Sequence, residues 1–356
     1  MTNFDVLIVG QGLSGTTLAS MLIDSGKRVC VIDHPDENSS SNVAAGLVNP
    51  ITGRRVVKSW MADALIPFAK KFYAAEEEKF GTRFFQPMDC LEVIRHAKEL
   101  NDWNNRLNEI DLIAYKGESI DDTNYKTSLT SYLKLIRITS SGWMNISSYL
   151  KAWRERLIEE GCFVSATLSE SDLKINTGSI QYKDLQADRM IFCEGHHTRS
   201  NELWVWLPFL PAKGEILTIR CDLPQDFILL GGIFLIPLGN KLFRAGATYE
   251  WDYSDASPTE KGREKLIDSI KQLVKIPFEV MAHHAGIRPT VKDRRPIVGR
   301  HPQYSNVYIL NGLGTKGVQF APFFANELID FMESGKPING EVNVSRFYSL
   351  FDGSKK

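Results

Sequence analysis

The chain has 356 residues, 43% hydrophobic and 24% charged, an ordinary globular balance that excludes disordered and fibrous classes and, at about 150 residues per domain, predicts two domains. Forty-two Lys and Arg against 43 Asp and Glu leave a net charge of −1, so no basic excess exists to grip a polyanion, and nucleic acid is not an expected partner. Five cysteines, Cys30, Cys90, Cys162, Cys193 and Cys221, are widely spaced without a CxxC pair, which predicts a reducing compartment and no disulfide framework.

Residues 2–5 carry no basic stretch of the signal-peptide kind, and the apolar run Val6-Leu7-Ile8-Val9 ends at once in glycines; a cytoplasmic protein is expected. No apolar stretch reaches the roughly 18 residues that span a bilayer, the densest runs, such as 227–237, being broken by Gly and Pro, so no transmembrane segment is expected.

Residues 4–33 read as strand, tight turn, helix, strand. The turn is Gly10-Gln11-Gly12-Leu13-Ser14-Gly15, and each glycine has a distinct task. Gly10 allows the sharp turn, Gly12 the approach of a pyrophosphate to the backbone, and Gly15 close packing of helix on sheet. The helix start offers N–H groups and a positive dipole end. Asp33, closing the second strand 23 residues after Gly10, is placed to accept the ribose hydroxyls of an adenosine. A dinucleotide is therefore expected; NAD and FAD both fit, and Asp33 would repel the 2′-phosphate of NADP.

A polar loop follows over 34–42, then the small-residue run Ala44-Ala45-Gly46-Leu47, suited to backbone packed on a flat ligand. Helices are expected over 59–80 and 96–108, strand character over 83–94, and an alternating segment over 129–138. Gly142-Trp143-Met144-Asn145 leads into a helix at about 147–160. Strands are expected near 162–168, 172–176 and 179–183, and a buried parallel-type strand over 188–193 ending at Gly195, which would rejoin the first sheet. From 213 to 249 the pattern is strand, turn, strand, as in an antiparallel meander. A helix over about 258–274, strands at 279–288 and 307–310, the loop Asn311-Gly312-Leu313-Gly314-Thr315-Lys316-Gly317 and a helix from Val318 to about Ser334 complete the chain. No repeat is visible. The expected class is α/β, α+β overall, with a Rossmann-like dinucleotide domain (1–82, 140–205, 295–356) interleaved with an antiparallel-sheet substrate domain (83–139, 206–294).

The GxGxxG turn with Asp33, Ala44-Ala45-Gly46-Leu47, Gly286-Ile287-Arg288-Pro289, Asp293, Pro296-Ile297-Val298-Gly299 and 312–322 together resemble the flavin-dependent D-amino-acid oxidase and glycine oxidase family, along nearly the whole chain. Lys213-Gly214-Glu215 and Trp143-Met144-Asn145-Ile146 add to the likeness. The resemblance implies a glutathione-reductase type nucleotide domain and noncovalent FAD. In similar proteins the acid at Asp33 holds the ribose, with His34 beside it. Ser40, Ser41, Ala45, Gly46 and Leu47 would line the path from pyrophosphate to flavin, Leu168 and Gly195 would border the nucleotide, and Gly312, Gly314, Thr315, Lys316, Gly317 and Val318 would meet the flavin. Independently, a glycine-rich turn opening a helix aims N–H groups at one point, where the reduced flavin carries negative charge.

The family's substrate arginine falls on Arg288, whose guanidinium fork pairs with both oxygens of a carboxylate. Its structural alternative is an ion pair with an acid such as Asp293. Period-two alternation in a strand puts His284, Gly286 and Arg288 on one face, which makes His284 a second candidate. Tyr249, Trp251 and Tyr253 alternate likewise and are candidate pocket walls; Arg54 and Arg55 follow the flavin-side loop. Lys316 beside a flavin would favour its reduced anion. The adjacent pairs His196-His197 and His283-His284 have no carboxylate at ligand spacing, so no metal is expected. Two departures from the family pattern stand out: Phe234 occupies the position of a substrate-side tyrosine, and Thr315-Lys316 replaces an arginine-bearing loop.

The implied activity is oxidation of the C–N bond of a small amine or amino acid by hydride transfer to flavin N5, giving an imine and then an oxo-acid, with oxygen as one electron acceptor. Two rivals are a dehydrogenase that uses a quinone or protein acceptor and a non-catalytic dinucleotide-binding redox module. Related flavin domains also act on modified tRNA bases, against which the absent basic excess argues.

Overall fold

The computed structural model describes residues 2–34, 36, 38–52 and 56–353. It divides into two compact units: Met1–Ala44, Ile146–Ala212 and Ile287–Lys356 in the first, Ala45–Asn145 and Lys213–Gly286 in the second. No helix among the described residues is long and apolar enough to cross a membrane.

The first unit is built on an eight-stranded sheet. Thr2–Val9 lies between Val29–Asp33 and Leu185–Phe192, parallel to both, with Val6 opposite Val29 on one side and Arg189 on the other. Phe163–Ser165 extends the parallel sheet beyond Val29–Asp33, and Val307–Asn311 beyond the C-terminal half of Leu185–Phe192. The strands Leu173–Asn176, Ser179–Tyr182 and Ile297–Arg300 add antiparallel edges. Parallel strands buried on both faces read as continuous apolar runs, which is why Val6 to Val9 and Val29 to Ile32 lack alternation. Leu7, Ile32, Met190, Phe192, Trp204 and Ile309 share its core. The helices Leu13–Asp24 and Gly317–Ser334 pack on each other.

The second unit carries a seven-stranded sheet in the order Phe278–Arg288, Ala212–Cys221, Leu242–Gly246, Phe234–Gly239, Ile228–Leu230, Cys90–Ile94, Lys134–Ile138. It is mixed rather than wholly antiparallel, because Ile228–Leu230 runs parallel to Cys90–Ile94. Leu217, Leu235, Phe243 and Ala245 on one face meet Leu266, Ile270 and Leu273 of the Glu260–Leu273 helix.

The division differs from the boundaries drawn on sequence. Residues 45–82 cluster with the second unit, because Leu47 pairs with Trp143 in a small sheet that also holds Phe85–Pro87, and Tyr73 of the Ala62–Phe80 helix stacks on Phe85. Conversely, 206–212 and 287–294 stay with the first: Phe209 bridges to Val291, and the Leu210 N–H donates to the Thr290 carbonyl at 2.8 Å. The expected strand over 83–94 is two, Phe85–Pro87 and Cys90–Ile94, which join different sheets. The end of the polar loop over 34–42 forms one helical turn, Ser40–Val43, whose cap Ser39 accepts from the Asn42 N–H.

Candidate functional site

Val9 ends its strand at a turn that only glycines can make. Gly10 has φ +97°, and a Cβ there would lie 2.5 Å from the Cys193 carbonyl oxygen of the neighbouring strand; a Cβ on Gly15 would run into the Gly10 carbonyl. Gly12 is different. It is extended (φ −73°), and its Cβ would meet only Ser41 Oγ, at 3.2 Å. The protein itself therefore leaves room that an approaching ligand would use. The Leu13–Asp24 helix begins at this glycine with no side-chain cap and no acidic residue in its first turn, and the Leu13 N–H donates to Ser41 Oγ at 3.1 Å. Leu13, Ser14 and Gly15 are buried in that turn.

Asp33 stands at the C-terminal end of its strand, where α/β sheets bind ligands. Its carboxylate accepts from Arg154 Nη2 at 3.1 Å and from the Gln11 backbone N–H. Burial raises its pKa, with the Gln11 N–H and then Arg154 acting in opposition. His34 is exposed beside it, and Ser40 and Ser41 are half-buried in the short helix. Leu168 packs against the first unit's core. Gly195, at φ +59°, follows Glu194, whose carboxyl burial pushes up to about 7 while Asn201 Nδ2 donates to it at 2.8 Å. Burial also holds His196 down to about 4.

The final loop is tied to this strand end. Asn311 donates through Nδ2 to the Gly195 carbonyl at 2.9 Å and to Thr198 Oγ1 at 2.6 Å, and its Oδ1 accepts from the Gly312 N–H at 2.7 Å. Gly312 (φ +74°) is buried with no room for a side chain, since its Cβ would come 2.6 Å from Val291 Cγ2; Gly314 is also left-handed, at φ +57°. Thr315 is exposed. Lys316 caps the Gly317–Ser334 helix, which again has no side-chain cap and no acid in its first turn, and burial pushes the lysine ammonium down to about 8. The two helix starts adjoin: a Cβ on Gly317 would lie 3.3 Å from Leu13 Cδ2. Val318 and Gln319 are buried in that turn, and neither polar atom of the Gln319 amide has a hydrogen-bond partner among the described residues.

In the first unit Arg288 ends the long Phe278–Arg288 strand, half-buried. Its suggested structural partner is otherwise engaged: Asp293 accepts from Arg346 Nε at 2.9 Å and from the Arg295 N–H at 3.0 Å.

The second unit holds the remaining candidates. Gly46 (φ +73°) lies on the Met144 backbone, and its carbonyl accepts from the Met144 N–H at 3.0 Å; Ala45 and Leu47 are half-buried on either side. His284 is exposed, whereas His283 turns to the opposite face and meets the Glu215 carboxylate at 2.7 Å. Glu215, 2% exposed, also accepts from the Thr259 N–H at 3.0 Å and its hydroxyl at 2.8 Å, with Lys213 Nζ 3.8 Å away. Tyr249 is half-buried with its ring 4.9 Å from that of Trp251. Phe234 and Gly246 are register partners on the sheet face turned away from the Glu260–Leu273 helix, and the next row on that face holds Ile236 and Arg244. Burial lowers the Arg244 pKa. Arg54 and Arg55 lie outside the described residues.

Sequence reasoning passed over Gln11, Arg154, Glu194, Arg244 and Gln319. A weak signal existed only for Gln11, a polar residue inside a buried glycine turn.

The family described as FAD dependent oxidoreductase (DAO) matches residues 5–331. A glycine oxidase of Pseudomonas aeruginosa is 22% identical over 359 residues, covering 94% of this chain and 96% of that protein. Among solved structures, glycine oxidase from Geobacillus kaustophilus superposes with a TM-score of 0.79 at 19% identity, covering 94% and 95% of the two chains. Iminodiacetate oxidase from Chelativorans sp. gives 0.77 at 20% identity, covering 96% and 98%.

The residues fit FAD on their own terms. A dinucleotide needs a cradle that a Cβ would fill, for which Gly12 is placed, an acid for the ribose, for which Asp33 at its strand end is available, and helix starts free of competing carboxylates, as both adjoining helices are.

Proposed function

Because this chain belongs to the DAO family of FAD dependent oxidoreductases, we propose that it oxidises the C–N bond of a small amino acid or N-substituted amino acid bearing a free carboxylate. FAD supplies a hydride acceptor, which the protein's side chains lack. The observation that carries the reading is Arg288, a half-buried residue at the end of its strand; Asp293, five residues on in the chain, accepts from Arg346. Its fork binds the substrate carboxylate through two oxygens and so fixes which hydrogen on the adjacent carbon points at the cofactor.

We assign Tyr249 and His284 to the substrate side, with Phe234 supplying an apolar wall where a tyrosine hydroxyl would otherwise sit. Lys316 holds a proton at Nζ below about pH 8, and that charge, at the start of the Gly317–Ser334 helix, favours electron gain by the cofactor. Gly10, Gly12 to Gly15, Asp33, Ser40, Ser41 and the 312–318 loop form the cofactor contacts. Names of the similar proteins support a glycine or iminodiacetate type of substrate, in which a carboxylate sits one carbon from nitrogen. Oxygen is the acceptor we assign.

An anaerobic absorption titration of the purified protein against glycine, N-alkyl glycines, iminodiacetate and D- and L-amino acids tests this. Bleaching of the flavin bands by carboxylate-bearing amines, and colour returning in air, is expected. Bleaching by amines lacking a carboxylate, or by none of the panel, would overturn the substrate class. Slow return of colour in air with rapid return on adding a quinone would replace oxygen as acceptor.

A further inference from the structure

The acid at the end of the second strand does not act alone. Gln11, 1% exposed in the middle of the Gly10–Gly12 turn, has both ends of its amide claimed by one helix, Ile146–Glu159: Nε2 donates to the Leu150 carbonyl at 2.9 Å, and Oε1 accepts from Arg154 Nε. Leu150 and Arg154 are one turn apart on the same face. With its Nε held, the guanidinium presents Nη2 to Asp33 Oδ2 at 3.1 Å, while its Cζ lies over the Phe163 ring, 5.6 Å from the ring centre. Phe163 belongs to the strand paired with Val29–Asp33, and the Ala166 N–H beyond it donates to the Asp33 carbonyl at 3.1 Å. Helix, phosphate turn and two strands thus converge on one carboxylate. The pair stays reachable, with 25% of the Arg154 side chain and 20% of the Asp33 side chain exposed.

We propose that Arg154 is a positioning residue for the adenosine half of FAD: braced by Gln11 and Phe163, it keeps the Asp33 carboxylate ionised and turned to receive the ribose hydroxyls. The role rests on FAD being the bound dinucleotide. Its physical need follows from the site. A carboxylate must be ionised to accept from two hydroxyls, yet enclosure favours its neutral form. Among the described residues, the titratable groups facing Asp33 are Arg154, His34 and Asp36, and of these Arg154 alone makes a direct hydrogen bond to it. A planar fork suits the task because one edge is fixed by Gln11 while the other meets the acid.

The test uses apoprotein stripped of flavin, titrated with FAD by fluorescence, with ADP as a competing probe that carries the adenosine half alone. Arg154→Met is expected to weaken FAD and ADP by the same factor, tenfold or more, and to move the loss of FAD binding at acid pH to a higher pH. Arg154→Lys keeps the charge and loses the fork, so it should recover part of the affinity and most of the pH profile. Should Arg154→Met fail to fold, the lysine variant with the same two probes carries the test. FAD weakened while ADP is not, an unmoved acid limb, or unchanged binding of both would overturn the role. A parent protein that binds neither FAD nor ADP would overturn the cofactor and this role with it.

Discussion

Replacing Lys316 by methionine should stabilise the apoprotein, an unusual direction for a substitution inside a functional loop. Burial takes this lysine from an ordinary 10.5 to about 8. The difference corresponds to about 3 kcal/mol of disfavour for the charged form. In the unfolded chain the ammonium persists to about pH 10.5, so between roughly pH 8 and 10.5 the unfolded state binds more protons than the folded one. Stability of the parent apoprotein must then rise with pH through that window by up to about 3 kcal/mol from this group. Below pH 8 the folded protein carries the full cost. Lys316→Met removes it, so at pH 7 the variant should be more stable by up to about 3 kcal/mol, about 4 °C in Tm for a chain of this length, and the gap should narrow to about 1 kcal/mol or less by pH 10. Differential scanning fluorimetry of both apoproteins from pH 7 to 10 reads this directly. Equal melting temperatures with parallel pH profiles would show that the ammonium is hydrated in the folded state and would remove it from the cofactor side. In the holoprotein the sign reverses: loss of a cation near the reduced cofactor should lower the midpoint potential below pH 8, measured by dye equilibration.

Gly12→Ala should cost the apoprotein little stability, since the added Cβ asks only the Ser41 hydroxyl, 3.2 Å away, to give by a few tenths of an ångström, yet reduce FAD affinity at least tenfold, as read by flavin fluorescence titration. Gly15→Ala, whose Cβ strikes the Gly10 carbonyl, should instead lower the apoprotein melting temperature together with FAD binding. Arg288→Met should cost about 2–5 kcal/mol in kcat/KM for carboxylate substrates, about 30-fold or more, with FAD retained; steady-state kinetics that match the parent would take Arg288 out of the site. Arg244, on the same sheet face as Phe234, is a candidate partner for a second acidic group: Arg244→Met should raise KM for iminodiacetate more than for N-methylglycine, and equal effects on both would remove it from substrate recognition.

What the sequence displays and what it hides follow from the range of the interactions. Most of the turn glycines were legible because they answer to a local demand, a left-handed φ at Gly10, Gly312 and Gly314 or a contact a few residues away, as between Gly15 and Gly10; Gly12, extended and close only to Ser41 Oγ, was legible from the motif spacing instead. That Asp33 closes the second strand was legible from the apolar run before it. The parity of 283 and 284 was also readable, since alternation sets His284 on the Arg288 face; that His283 would find a buried acid was not, because Glu215 lies on another strand, 68 residues earlier. The same limit hid the brace on Asp33. Arg154 stands 121 residues from Asp33 and 143 from Gln11, and nothing along the Ile146–Glu159 helix distinguishes it from the exposed Lys151 or Glu155. Domain limits failed to show for a related reason. Leu47 and Trp143 become neighbours only through strand pairing, so 45–82 follows the first sheet's opening strands in the chain while its strand pairing belongs to the second unit. The Arg288 question turned on a third party: the sequence offered Asp293 as its ion-pair partner, five residues on, and Arg346, 53 residues beyond that acid, occupies it instead. Residues that touch a ligand through backbone or a local turn can be read from their neighbours in the chain. Residues that act through another side chain are fixed by tertiary contacts, and a substitution series on Gln11, Arg154 and Asp33 probes a part of this site that motif spacing does not reach.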